Sequence, residues 1–361
     1  MDKNKLFWLN KKETLRRYRD EASCLFAGCA LPAINSHTYP NSFLKQISEH
    51  DDLLVLNLDE LYSSSERVKA GDLFVSKSPK KAAVEKLFCK LHDDSVFSPI
   101  EKNPLNTEID TYMFLYSYRL FIHEFYLENL VKGEASVPHV HEDTNFYSQF
   151  DNGLKTCFLF QEQMASYMLD NLYPHRNTVL LKEEFDRVFR TSEAPNGEDF
   201  SKFFDLAYFR INAFPKLLLS GIKTFRMPNQ NGNGDVLPMV FFLVPSPNFR
   251  ESFFGIVAPK SERESFNILL SFFNEEYQKY LNSNSQTFVS SMLMMLLDAS
   301  QNIVLTRSLY EQWRDDGSWL RMIQAYECLT RGDIFKEQEQ EQKKEAWKLI
   351  VGMEYSAWFA N

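Results

Sequence analysis

Residues 239–258 read MVFFLVPSPNFRESFFGIVA. Two apolar runs, Met239 to Val244 and Phe253 to Ala258, flank a Pro245-Ser246-Pro247 break that stops regular structure. Each run is short for a helix and rich in β-branched and aromatic residues, so the pair predicts antiparallel strands. Upstream, Phe203 to Ile211 and Leu217 to Phe225 have the same texture, punctuated by Pro215, Pro228 and the turn-rich Asn229–Asp235. Together these runs predict a small antiparallel sheet in the C-terminal half.

The period changes on either side of that block. Met113, Phe114, Phe121, Phe125 and Leu130 recur at helical spacing over Asp110 to Val131, with Gly133 placed to cap the end. Further helices are expected over Phe146 to Leu172, Lys182 to Arg190, Glu262 to Leu281 and Thr287 to Leu297, with helical stretches from there to the end. Nearer the start, Phe43 to Ser48 predicts a helix, Leu53 to Leu56 a strand, and Ala82 to Cys89 a helix or ordered turn. The fold class read from this pattern is α+β and mainly helical. The chain divides at residues 1–105, 106–198 and 199–361.

Composition narrows the function classes. The 361 residues are 44% hydrophobic, with 32 Phe and 16 Tyr, so ring-rich cores are expected. Only 12 Gly argue against a glycine-loop nucleotide enzyme and against a tightly turned β-sandwich. A net charge of −9 disfavours indiscriminate nucleic-acid binding. A local exception is residues 1–20, with seven basic against three acidic side chains; this segment reads as a solvated helix or as a phosphate-binding arm. The opening MDKNKLFWLNKK has no continuous apolar stretch, and Phe288 to Leu297 is too short to cross a bilayer. A cytoplasmic location is expected, where close cysteines bind metal more often than they form disulfides.

Three of the five cysteines fall in the first quarter, beside other soft donors. Cys24-x4-Cys29 and Cys89-x2-His92 are two close pairs, the form in which structural zinc ligands are usually delivered. Gly28 assists the turn between the first two sulfurs. The alternative is that Cys24, Cys29 and Cys89 are small buried hydrophobes, as Cys157 and Cys328 are expected to be.

His37 lies eight positions after Cys29, in Asn35-Ser36-His37-Thr38-Tyr39-Pro40. A knuckle, a short loop and a histidine near a proline resemble the opening of treble-clef nucleases of the HNH class. The resemblance implies that Cys24, Cys29, Cys89 and His92 hold structural zinc. It also implies that His37 is the general base, with Asp93 or Asp94 contributing to a second divalent ion. The chain departs from that class: no asparagine and final histidine stand at recognisable positions, and Ser36 replaces the usual acidic residue.

A broader resemblance is to a group of bacterial proteins without an established activity. They share a cysteine knuckle, Ser-His-x-x-Pro, Phe-Cys-x-x-His-Asp, Phe-x-Pro-Ile-Glu, and a helix bearing Tyr-Arg and a nearby Glu. Here these are Cys24–Cys29, Ser36-His37 with Pro40, Phe88 to Asp93, Phe97 to Glu101, and Tyr118-Arg119 with Glu124. The resemblance implies a zinc module, and defence against phage is the biological setting it suggests.

Other groups are weaker candidates. Arg119 and His123 share a helix face, where such groups line a site with Glu101 or tie the helix to a loop. His139-Val140-His141 with Glu142 and Asp143 is a loop motif expected to be solvated, and Asn229–Asp235 lacks the Gly-Lys-Ser/Thr ending of a phosphate loop. The expectation is a zinc protein that acts on or senses nucleic acid, as an HNH-like nuclease. The rival is a non-catalytic protein-binding chain in which zinc is purely structural.

Overall fold

The structure, a computed structural model, describes residues 21–56, 74–102, 104–135, 175–192, 194–225, 236–283, 286–316, 344–350 and 359–360. The basic segment 1–20, the expected helix 146–172, His139, His141, Asn229–Asp235, Cys157 and Cys328 lie outside these residues.

The strands are β1 (Ile34–His37), β2 (Leu53–Leu56), β3 (Phe74–Lys77), β4 (Val84–Phe88), β5 (Phe204–Ile211), β6 (Phe214–Pro215), β7 (Leu217–Lys223), β8 (Met239–Pro245), β9 (Ser252–Pro259), β10 (Ser300–Leu305) and β11 (Phe359–Ala360). The helices are α1 (Asn41–Ile47), α2 (Lys90–Val96), α3 (Ser98–Glu101), α4 (Ile109–Ala135), α5 (His175–Thr191), α6 (Gly197–Phe200), α7 (Arg263–Ser283), α8 (Thr287–Ala299) and α9 (Arg307–Asp316).

Seven strands form one antiparallel sheet in the order β3-β2-β10-β7-β8-β9-β5. The small C-terminal sheet expected from the sequence is therefore wrong in size and in reach. The fold is α+β around a large sheet, and β2 and β3 come from the first eighty residues of the chain. Its interior strand β10, SQNIVL, stands where helix was expected. A short apolar run buried on both faces carries no alternation to separate it from helix. Ala82 to Cys89 likewise contains a strand, β4, paired antiparallel with β1 in a separate two-stranded unit.

Strand β8 shows how the sheet divides the core. Val240, Phe242 and Val244 join the cluster under α4 and α5, whereas Met239, Phe241 and Leu243 join the cluster under α7, α8 and α9. Period-two alternation with both faces buried makes the whole of β8 apolar. Gly255 in β9 is required by this packing, because a Cβ there would run into the Phe242 ring and the Met113 methyl.

Helix α4 is buried on every side from Tyr112 to Glu124. Its Phe114 stacks on Phe200 of α6 at 4.5 Å, and Phe185 of α5 stacks on Phe204 of β5 at 4.4 Å. Aromatic packing thus locks the helical layer onto the sheet edge. Among the described residues, no helix is long and apolar enough to cross a membrane.

Candidate metal centre

The first ligand pair sits on a loop closed by its own backbone. Cys24 N donates to Leu31 O at 2.8 Å, Ala33 N to Ala22 O at 2.9 Å, and Cys29 N to Phe26 O at 3.1 Å. Gly28 takes φ +69°, a left-handed conformation costly for a residue with a Cβ, and this lets the turn fold Cys29 back toward Cys24. Leu25 N donates to Leu87 O at 2.9 Å, which fastens the loop to β4. The second pair follows directly: Cys89 is the N-cap of α2, and His92 lies in its first turn.

These local conformations bring together residues sixty positions apart. Cys24 Sγ lies 3.4 Å from His92 Nδ1, Cys89 Sγ 3.3 Å from the same nitrogen, and Cys29 Sγ 3.9 Å from Cys89 Sγ. One ligand atom from each of the four residues falls within 4.8 Å of all the others. The three thiols are free, and a 3.9 Å sulfur separation is well beyond the bond length of about 2.05 Å for a disulfide. The buried-hydrophobe alternative explains their burial but not this convergence.

Cys24 and Cys89 are 5% and 3% exposed, while Cys29 and His92 are half-buried. Burial pushes the Cys24 thiol up to about 12, so without a cation this sulfur stays protonated. Burial acts the same way on Cys89, but the backbone N–H of His92, hydrogen bonds from the Cys24 and Cys29 thiols and the backbone N–H of Leu91 together outweigh it, and that thiol is held below its ordinary value. Phe26 stacks on the His92 ring at 4.0 Å and meets Phe189 of α5 edge-on at 5.3 Å, fixing the imidazole from the side. No sequence signal marked Phe26 or Phe189 for this role; both look like ordinary core.

His37 stands apart from the four ligands, at the end of β1 opposite Val84. Its ring is hydrogen-bonded to the Pro79 carbonyl, and its Nε2 is buried with no hydrogen-bond partner. Burial, followed by the nearby Arg119 charge, holds the imidazole below its ordinary value and so neutral. Asp93 carries the opposite tension: burial raises its carboxyl, and Arg119 opposes the shift.

Arg119 is 1% exposed and reaches Asp93 at 3.1 Å and Glu101 at 2.5 Å, with its guanidinium 4.5 Å above the Phe97 ring. Arg119 joins α4 to two short helices, α2 and α3, and not to a loop as the sequence reading has it. His123 faces Glu124 at 3.6 Å within the core. Asp94 is exposed. Among the described residues, the four-ligand group is the one place where three or more His, Cys, Asp or Glu side chains converge in this way.

No protein family, no curated protein and no solved structure matches this chain. The class that fold and site define is an α+β protein with a candidate Cys3His metal centre.

Proposed function

We propose that the chain is a zinc protein whose ion is structural, holding the Cys24–Cys29 loop against the start of α2. The observation that carries this reading is the spacing of the donors. Zinc with bonds of about 2.3 Å to sulfur and about 2.0–2.1 Å to nitrogen places tetrahedral neighbours about 3.8 Å (S to S) and about 3.6 Å (S to N) apart. The separations of 3.9, 3.4 and 3.3 Å lie close to three of the six edges of such a tetrahedron. Three thiolates and an imidazole are soft donors that suit zinc over calcium or magnesium. Four protein ligands leave no open position for substrate, which supports a structural over a catalytic ion.

Elemental analysis of purified chain tests this directly. One zinc per chain is expected, lost or weakened in Cys89→Ser. Absence of any transition metal after expression in zinc-supplemented medium would sink the reading.

A second reading, action on nucleic acid, has one observation in its favour. The neutral His37 ring, steadied by Pro79 and with an unpartnered Nε2, is in the protonation state a general base requires. Plasmid and single-stranded DNA cleavage by wild type and His37→Ala in the presence of magnesium or manganese decides the point. Cleavage that survives in His37→Ala, or none in wild type, removes the catalytic role and leaves the structural zinc untouched.

A further inference from the structure

The seven-stranded sheet ends at β5, where two contacts define which peptide groups face outward. Lys260 N donates to Phe203 O at 2.8 Å, so the odd-numbered residues of β5 turn their peptide groups toward β9. Phe204, Leu206, Tyr208 and Arg210 therefore turn theirs away from the sheet. The Tyr277 hydroxyl agrees, donating to the outward Arg210 carbonyl at 2.7 Å. Among the described residues, nothing hydrogen-bonds to the outward peptide groups of Leu206 and Tyr208.

A cavity of about 460 Å³ runs along this edge. Phe200 of α6 and Asp110 of α4 line one side of it, and Leu270, Asn274 and Gln278 of α7 line the other. Residues from helices on both faces of the sheet thus line the edge. With strands about 4.8 Å apart, a rise of about 3.4 Å per residue and a sheet about 10 Å thick, that volume holds about three residues of extended chain. Open edges are ordinarily blunted by charge, proline, a bulge or a covering segment, yet the middle of β5 is Leu206-Ala207-Tyr208. The charge at the slot is also incomplete. Asp110 is exposed in the first turn of α4, close enough to act on the Tyr208 hydroxyl, and has no basic partner among the described residues.

We propose that the slot along β5, between α6 and α7, binds an extended peptide segment of a partner protein as an eighth strand, with a basic side chain set against Asp110. The unpaired backbone calls for a strand, since only a peptide main chain supplies donors and acceptors at that repeat. Asp110, unpaired among the described residues, calls for a basic side chain opposite it, so the occupant is a basic peptide segment of a partner, and a second copy of this chain is an outcome the test separates. The proposal is independent of the metal centre.

Random nonapeptides displayed on phage and selected on the full chain, followed by anisotropy titration of the enriched sequences, test it. Enriched peptides are expected to alternate apolar and polar residues about a Lys or Arg. Tyr208→Pro removes an outward N–H and no ladder bond, and should weaken binding at least tenfold. Asp110→Lys should abolish the basic preference. Because the Tyr208 ring also packs on Phe253, Asn274→Trp, which fills the slot from α7, provides the same readout with β5 intact. Failure to enrich any sequence, or peptides that bind all three variants like wild type, would overturn the proposal. So would concentration-dependent dimerisation that Asn274→Trp abolishes, since it assigns the slot to a second copy.

Discussion

The guanidinium of Arg119 lies 3.1 Å from the carboxylate of Asp93, the residue that follows the candidate ligand His92. This contact links helix α2 to helix α4, which is buried on every side from Tyr112 to Glu124. An arginine in a helix interior is tolerated because both carboxylate partners and an aromatic face surround it.

Arg119→Met should therefore destabilise the chain by about 2–4 kcal/mol, the lower end reflecting Glu101, which is 31% exposed and can regain water. Urea denaturation of the zinc-loaded protein measures the loss. Glu101→Gln should cost less than Asp93→Asn, because Asp93, at 17% exposed, is further from solvent. The reverse order would show that Arg119 depends chiefly on the outer partner.

Phe26 offers a test of how packing supports the ligands. Phe26→Ala removes the ring stacked on His92 and the edge contact to Phe189, a loss of about 3 kcal/mol of packing for a buried phenylalanine. Competition with a chromophoric chelator should show faster and more complete zinc release from this variant. Unchanged release would mean that the loop backbone alone holds His92 in place.

Gly255→Ala should destabilise by about 1–3 kcal/mol, since the added methyl meets the Phe242 ring across the strand pair. Combining it with Phe242→Leu should recover part of that loss, and a double-mutant cycle by thermal unfolding reads the coupling. Additive effects would contradict the contact.

The pH dependence at His37 has a definite sign. Its folded value is lowered from 6.5, chiefly by burial, so between that folded value and 6.5 the unfolded chain binds more protons than the folded one. Stability contributed by the neutral ring is complete above 6.5 and is lost as pH falls toward the folded value. NMR of the ring protons should give a titration midpoint below 6.5, and His37→Gln should flatten the difference in stability across that window. A midpoint at or above 6.5 would refute the buried, neutral assignment.

Much of the site was legible in the linear order of residues. Pair spacing alone marks Cys24, Cys29, Cys89 and His92, because a single turn positions each pair. The neighbours of His37 in sequence single it out, but nothing local reveals that burial, with the Arg119 charge, holds it neutral. The fold was less legible. Helix α4 declares itself through helical periodicity, yet β10 reads as helix because both of its faces are covered.

By itself, then, the sequence determined the ligand pairs, the long helix at 109–135 and the paired apolar runs at 239–258, all features written within a few residues of one another. Tertiary structure alone decided that β2 and β3 join β10 in one sheet, that the Cys24–Cys29 and Cys89–His92 pairs meet across sixty residues, and that β5 is an edge among the described strands. The physical reason is the range of the interactions. Periodicity and turn chemistry act along a few residues, whereas strand order and ligand convergence depend on which distant surfaces bury the most apolar area together.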